Sequence, residues 1–197
     1  MKDFHVISES PSKTNIAYSV LYMGNDKPIE EYFQWLVDEI TEEKIKPTRT
    51  IIYCQTIKQC GTFYSTLRGM LGDKLYADTT EDMRKVVLWM LHSCTADQNK
   101  EASLDAFEKE DSAVRILVAT IAFGMGVDCK GVYRTIHFGP SKNIEAYILE
   151  TGRAGRAGKR SVAYVIYKGL FLNHVVKDME NLNFNYRSYS VIRRTRL

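Results

Sequence analysis

The stretch ILVATIAFGMGVD, residues 116–128, decides the fold of this chain. Its first four residues are apolar, which is typical of a strand that is buried on both faces of a sheet. The strand leads directly into a loop that contains Thr120, two glycines and Asp128. Glycines let a backbone pass close to a phosphate or a ribose, and Asp128 is able to accept a hydrogen bond from a ribose hydroxyl. The alternative is a tight turn with a capping aspartate.

Strand and helix patterns alternate on both sides of this stretch. The predicted strands are residues 16–22, 50–54, 86–91, 116–119, 132–138 and 162–167, and the predicted helices are 28–43, a helix capped by Thr56 that runs to Leu71, 97–110, 143–149 and 170–182. Such alternation predicts an α/β domain with a parallel sheet between helices. Ligands of these sheets bind at the carboxyl ends of the strands. We therefore expect a site in the loops after residues 54, 92, 119 and 138 and before residue 162.

The composition of the chain limits the possible classes of protein only broadly. The chain has 197 residues, of which 45% are hydrophobic and 26% charged, so one core and a single domain with a tail at each end are expected. The net charge of +3 permits nucleic-acid binding without arguing for it. The four cysteines and four histidines are scattered without a C-x-x-C pair, which indicates buried free thiols rather than a zinc site or disulfides. We find no secretory signal and no apolar stretch long enough for a membrane span, and expect a soluble protein.

Two motifs of nucleotide hydrolysis are absent from the sequence. There is no G-x-x-x-x-G-K-[ST] loop to wrap the β- and γ-phosphates in backbone amides. There is also no D-E-x-H or D-E-x-D box after a strand. We therefore expect no metal site in this chain and no ATP hydrolysis by the chain alone.

A pair of arginines stands out in the segment TGRAGRAG, residues 151–158. Arg153 and Arg156 are three residues apart, a spacing that would place both guanidinium groups on one side of a helix. A pair of permanently charged, planar guanidinium groups binds a polyphosphate better than lysine side chains do. An arginine that a neighbouring domain supplies to a transferring γ-phosphoryl group accelerates the reaction about 10³–10⁵-fold. The alternative is a solvated basic turn.

Together, residues 116–128 and 151–158 resemble motifs V and VI of superfamily two helicases. The wording VATIAFGMGVD is closest to motif V of the RecQ family of ATP-dependent DNA helicases, and residues 135–147 resemble the I-H…P…S-I-E-x-Y continuation of that family. Residues 51–60 resemble its motif IV, and residues 15–20 resemble the strand that follows its interlobe linker. The resemblance covers roughly residues 4–168.

The resemblance implies a fold and a set of domain boundaries. The fold is a RecA-like, three-layer α/β/α domain with a mainly parallel central sheet, extending over residues 15–182. Residues 1–14 would be a lead-in from the interlobe linker. Residues 183–197 would be a tail leading toward a zinc module whose cysteines the chain does not contain.

The resemblance also implies roles for individual residues. Arg156 would be the main arginine finger, with Arg153 helping to hold the phosphates or to couple the lobes. Gly126 and Asp128 would border the nucleotide, while the backbone of the tracking DNA strand would contact Thr120, Ser93 and Lys58. The cofactor would be ATP with Mg²⁺, bound mainly by a first RecA-like lobe. Single-stranded and duplex DNA and that lobe would be the partners, and the location would be the nucleus in a eukaryote and otherwise the cytoplasm.

Two other hypotheses remain open, and the first of them rests on departures from the family pattern. Leu149 stands where the family usually has glutamine, and Ala157 where it usually has aspartate. These differences give some weight to a degenerate lobe that binds nucleic acid or a protein without turnover. A lobe of an RNA helicase of the DEAD type is the third interpretation, against which the wording of residues 123–126 argues.

Overall fold

The computed structural model describes residues 13–24, 26–42, 47–77, 85–109, 112–120, 131–156 and 158–167. Strands and helices alternate along these residues as the sequence predicts. In chain order they are β1 Ile16–Tyr22, α1 Ile29–Glu42, β2 Arg49–Cys54, α2 Ile57–Leu71, a 3₁₀ helix Gly72–Leu75, β3 Leu88–Leu91, α3 Asp97–Glu108, β4 Ile116–Thr120, β5 Val132–Phe138, α4 Ile144–Thr151 and β6 Ser161–Tyr167.

The strands form one sheet with the order β1-β6-β5-β2-β4-β3. Every pairing between the described strands is parallel, so the predicted parallel sheet is confirmed. Thr50 of β2 pairs with Ile116 of β4, and Cys54 pairs with Thr120. All strand starts therefore share one edge of the sheet, the amino edge, and all strand ends share the opposite, carboxyl edge.

Helices cover both faces of the sheet. On one face Ile52 and Cys54 pack with Phe33 of α1 and Phe63 of α2, and these side chains are almost fully buried. On the other face Ile51 and Tyr53 pack with Phe107 of α3 and with Ala154. Alternate residues of β2 thus enter opposite cores, as expected for a central strand. The result is the predicted three-layer α/β/α architecture.

Local sequence patterns account for most element boundaries. The Thr56 cap is confirmed, because its side chain accepts a hydrogen bond from the backbone N–H of Gln59 at 3.1 Å. The prediction for residues 86–91 is too long, since Val86 forms only an isolated antiparallel bridge with Tyr76 and β3 begins at Leu88. The short 3₁₀ helix was not predicted from the sequence. The helix predicted at residues 170–182 lies outside the described residues.

The cysteine prediction needs one correction. Cys54 and Cys60 are free and buried, but Cys94 is exposed because it lies in the turn after β3 rather than in a strand or a packed helix. Cys129 lies outside the described part of the chain.

Candidate functional site

The three predicted DNA-contacting residues all lie at the carboxyl edge. The order β2-β4-β3 puts the ends of these strands side by side. Lys58 lies in the first turn of α2, after β2, Thr120 ends β4, and Ser93 follows β3. Lys58 and Ser93 are exposed, whereas Thr120 is 6% exposed. The fold therefore brings Lys58, Thr120 and Ser93 to one edge of the sheet, as predicted.

A groove opens beside Lys58 at the start of α2. It has a volume of about 280 Å³ and is lined by Ile29, Thr56, Lys58, Gln59, Thr62, Phe63 and Phe138. The backbone N–H of Gln55 donates to Gln59 Oε1 at 2.7 Å, and Gln55 Nε2 donates to the carbonyl of Pro140 at 2.8 Å. These bonds fix the loop after β2 against the loop after β5. The groove is thus lined by both polar and apolar side chains, and one of its polar residues, Gln59, is hydrogen-bonded to the loop after β2.

The turn after β3 is closed by its own hydrogen bonds. The backbone N–H of His92 donates to Thr95 Oγ1, and the N–H of Thr95 donates to the carbonyl of His92, both at 3.0 Å. The N–H of Cys94 donates to His92 Nδ1 at 3.2 Å. Ser93 therefore projects from an ordered turn, where its hydroxyl is accessible to a phosphate.

The arginine pair does not lie on a helix, so that prediction is wrong. Helix α4 ends at Thr151, and residues 152–156 continue as turns, here called the arginine turn. The N–H of Arg153 donates to the carbonyl of Glu150 at 3.3 Å. Gly155 has a φ of 66°, a left-handed conformation that ends helical geometry. As a consequence Arg153 is 7% exposed, whereas Arg156 is exposed. The two guanidinium groups do not form an equivalent pair.

The position of the arginine turn corrects a second expectation. The N–H of Gly155 donates to the carbonyl of Val132, the first residue of β5, at 2.9 Å. The turn therefore lies at the amino edge, opposite the edge that holds Lys58, Thr120 and Ser93. Helix α4 and the turn after it lead the chain from the carboxyl edge back to the start of β6 at the amino edge. The loop before residue 162 therefore does not lie beside the loops after the strands, where it was expected. The candidate site has two surfaces.

Two residues near the start of β1 hold the arginine turn. Lys13 Nζ donates to the carbonyl of Gly152 at 2.7 Å. Asn15 Nδ2 donates to the carbonyls of Gly155 and Lys159, at 2.9 Å each. Neither side chain was predicted to have a role, because these contacts join residues about 140 positions apart and leave no local signal.

A buried polar network anchors the end of α4 to β5. Glu150 Oε2 lies 2.9 Å from His137 Nε2 and accepts a hydrogen bond from Ser141 Oγ at 2.7 Å. The His137 ring stacks on Tyr53, with 4.8 Å between centroids, and meets Tyr147 edge-on at 4.9 Å. This network was not predicted from the sequence either. It fixes the helix from which the arginine turn emerges.

The buried thiols of Cys54 and Cys60 share a hydrogen bond at the carboxyl edge, and this bond lowers the pKa of Cys60. A hydrogen bond with Cys60, and then burial, raise the pKa of Cys54 far above its usual range. Cys54 therefore remains a protonated thiol. Burial also lowers the pKa of Arg115, which is 6% exposed near the start of β4.

Some predicted residues cannot be placed. Gly126 and Asp128 lie outside the described residues, as does Ala157. Among the residues that the structure does describe, we find no cluster of three or more histidine, cysteine, aspartate or glutamate side chains able to hold a metal ion. No helix in the same residues combines the length and apolar character needed to cross a membrane.

Comparisons with known proteins agree on one family. The model of the helicase conserved C-terminal domain matches residues 31–158. The chain is 32% identical to the ATP-dependent helicase wrn-1 of Caenorhabditis elegans over 71% of its length and 11% of that protein. It is 28% identical to the ATP-dependent DNA helicase RecQ of Pasteurella multocida over 83% of its length and 22% of that protein. The chain thus spans less than a quarter of the length of these relatives.

The fold also matches a solved structure. Domain 2 of the DEAD-box helicase Mss116p, bound to an RNA duplex, superposes with a TM-score of 0.64 at 19% identity, over 86% of this chain and 60% of that one. At this identity the match shows the shared RecA-like fold alone. The sequence relatives confirm the resemblance of the chain to the RecQ family.

Proposed function

Since the chain belongs to the family of helicase conserved C-terminal domains, we propose that it is the second motor lobe of an ATP-dependent DNA helicase of the RecQ type. The observation that carries this proposal is the contrast within the arginine turn, where Arg156 is exposed and Arg153 is buried. An exposed guanidinium on a firmly held turn suits a group that reaches a nucleotide on another lobe. Arg156 is accordingly the arginine finger. Arg153, packed within this lobe, couples the turn to the sheet.

The nucleotide surface is the amino edge. Arg156 lies there, and Asp128 and Gly126 precede Val132, which bonds to the arginine turn, by four and six residues in the sequence. These two residues border the nucleotide in our proposal. The β- and γ-phosphates and Mg²⁺ are bound by the first lobe, because this chain contains no P-loop and no acidic box. The chain alone does not hydrolyse ATP.

The nucleic-acid surface is the carboxyl edge. Lys58, Thr120 and Ser93 contact phosphates of one DNA strand there, which positions the strand without reading its sequence. ATP binding closes the two lobes and hydrolysis opens them, so that single-stranded DNA is moved in steps along a groove that both lobes form. The RecQ resemblance supports movement in the 3′–5′ direction.

The decisive experiment is Arg156→Ala in the full-length protein. We expect ATP affinity to change little, while DNA-stimulated hydrolysis falls about 10³-fold or more, since the arginine acts on the transferring phosphoryl group. Arg160→Ala is the matched control, because Arg160 is also exposed and lies only four residues further along. Equal turnover in wild type and Arg156→Ala would remove the arginine finger from the proposal.

DNA binding is tested on the 197-residue chain. We expect weak affinity for single strands that falls steeply with salt, because it rests on phosphate contacts. Lys58→Ala should lower both the affinity and the slope of its logarithm against the logarithm of salt concentration, by about one contact. A Lys58→Ala variant with an unchanged salt dependence would remove Lys58 from the DNA surface.

The degenerate lobe is the second candidate, and Leu149 favours it. This side chain is 71% exposed on α4, at a position where the RecQ pattern usually has a polar glutamine. An exposed leucine is suited to a protein contact rather than to a polar link with a nucleotide. Tight DNA binding that persists at high salt, together with no ATP hydrolysis by the full-length protein, would favour this candidate.

A further inference from the structure

We propose that Asn15 is a positioning residue for ATP hydrolysis, which acts by fixing the backbone on both sides of Arg156. Its side-chain amide donates to the carbonyls of Gly155 and Lys159, at 2.9 Å each. One of these carbonyls immediately precedes Arg156, and the other follows three residues later. This proposal rests on the role of Arg156 proposed above.

Asn15 is itself held in place independently of this contact. Its carbonyl accepts a hydrogen bond from the backbone N–H of Ser161 at 2.9 Å, next to the pairing of Ile16 with Ser161 where β1 and β6 begin. Backbone bonds therefore fix the residue to the sheet. The side chain extends this fixed point to the arginine turn.

The packing around Gly155 shows how closely the amide fits. A Cβ atom added to Gly155 would lie 2.5 Å from Asn15 Nδ2, 2.7 Å from Ser161 Oγ and 2.9 Å from the carbonyl oxygen of Lys159. The turn thus approaches the amide to a distance that only glycine allows. The side chain of Asn15 thus restrains the backbone directly before Arg156.

An asparagine amide suits this position for a chemical reason. Its nitrogen carries two hydrogens, and each of them meets a carbonyl oxygen here. An ionised aspartate has the same shape but offers only acceptors, so it would repel both carbonyls. Asn15→Asp therefore removes the restraint with almost no change of volume.

The test measures steady-state ATP hydrolysis by the full-length protein with saturating single-stranded DNA. We expect Asn15→Asp to lower kcat roughly 10- to 100-fold, because a displacement of about 1 Å from productive geometry costs about that much. The KM for ATP should stay within about threefold, since the first lobe supplies most of the ground-state binding. Asn99→Asp, at an exposed position on α3, is the matched control and should leave both constants unchanged.

Combining variants separates positioning from general destabilisation. In an Arg156→Ala background, Asn15→Asp should lower kcat less than about twofold further, because there is no longer an arginine to position. Asn15→Ala, which adds no charge, should reproduce the loss of kcat and serves if the aspartate variant unfolds. Wild-type kcat in folded Asn15→Ala, or a full additive loss in the double variant, would overturn the role of Asn15. No loss in Arg156→Ala alone would instead overturn the proposed function on which it rests.

Discussion

Replacing Gly155 with alanine tests how tightly the arginine turn is held against β1. Gly155 has a φ of 66°, a conformation that costs an L-residue about 1–2 kcal/mol. The new Cβ would also lie 2.5 Å from Asn15 Nδ2 and 2.9 Å from the backbone carbonyl of Lys159. Relief of these contacts requires the amide to move and to lose its two hydrogen bonds, each worth about 1 kcal/mol. We therefore expect Gly155→Ala to lower the free energy of unfolding by about 3–4 kcal/mol.

Gly158 provides a matched control in the same loop. Its φ is 73°, but an added Cβ would meet no atom within 4 Å. Gly158→Ala should therefore lower the free energy of unfolding only by the conformational cost of about 1–2 kcal/mol. The difference between the two variants, about 2 kcal/mol, isolates the contacts of Gly155 with its neighbours.

Urea unfolding of the 197-residue chain, followed by circular dichroism, measures both costs. A double variant that combines Gly155→Ala with Asn15→Ala should lose less stability than the sum of the two single variants, because the amide that the Cβ meets is gone. Equal losses for Gly155→Ala and Gly158→Ala would refute the close packing of the arginine turn against Asn15.

Two further predictions concern buried groups. Glu150→Ala should lower the free energy of unfolding by about 2–3 kcal/mol in thermal or urea denaturation, because it leaves the buried His137 ring without its partner. Glu150→Gln retains an acceptor oxygen and should lower the free energy of unfolding clearly less. Equal losses in the two variants would contradict the role of this hydrogen bond. In a Cys129→Ser background, Ellman's reagent should label the exposed Cys94 rapidly under native conditions, and Cys54 and Cys60 only after unfolding. Rapid reaction of more than one thiol in the folded protein would contradict the burial of Cys54 and Cys60.

The elements of the fold follow from local sequence patterns. The apolar run TIIYC of β2 is buried on both faces, and the apolar stripe of α1 places Phe33 and Ile40 in the core. Each of these signals is contained within one element. Such a signal can be read from a single sequence, because the period of burial follows from the geometry of the helix or strand itself.

The geometry of the site depends on contacts between segments that are far apart in the sequence. A spacing of three residues is compatible with a helix, but it does not reveal that α4 ends at Thr151 or that Gly155 bonds to Val132. The contact from Asn15 to the arginine turn joins residues 140 positions apart. These features depend on how the elements pack, so the sequence could offer Arg156 as a candidate but could not predict the edge on which it lies.

The separation of the two surfaces bears on how the proposed motor would work. Strand β5 runs between them, because Val132 bonds to the arginine turn at the amino edge while Gly139, just after the strand, bonds to Ile166 of β6 at the carboxyl edge. Seven residues of a paired strand span roughly 20 Å, and β5 pairs with β6 on one side and, apart from a register shift near Arg49, with β2 on the other. Such a strand transmits a rotation of the whole lobe but does not shorten or bend easily. We therefore expect ATP and DNA to be coupled through movement of this lobe relative to the first, rather than through a rearrangement inside the sheet.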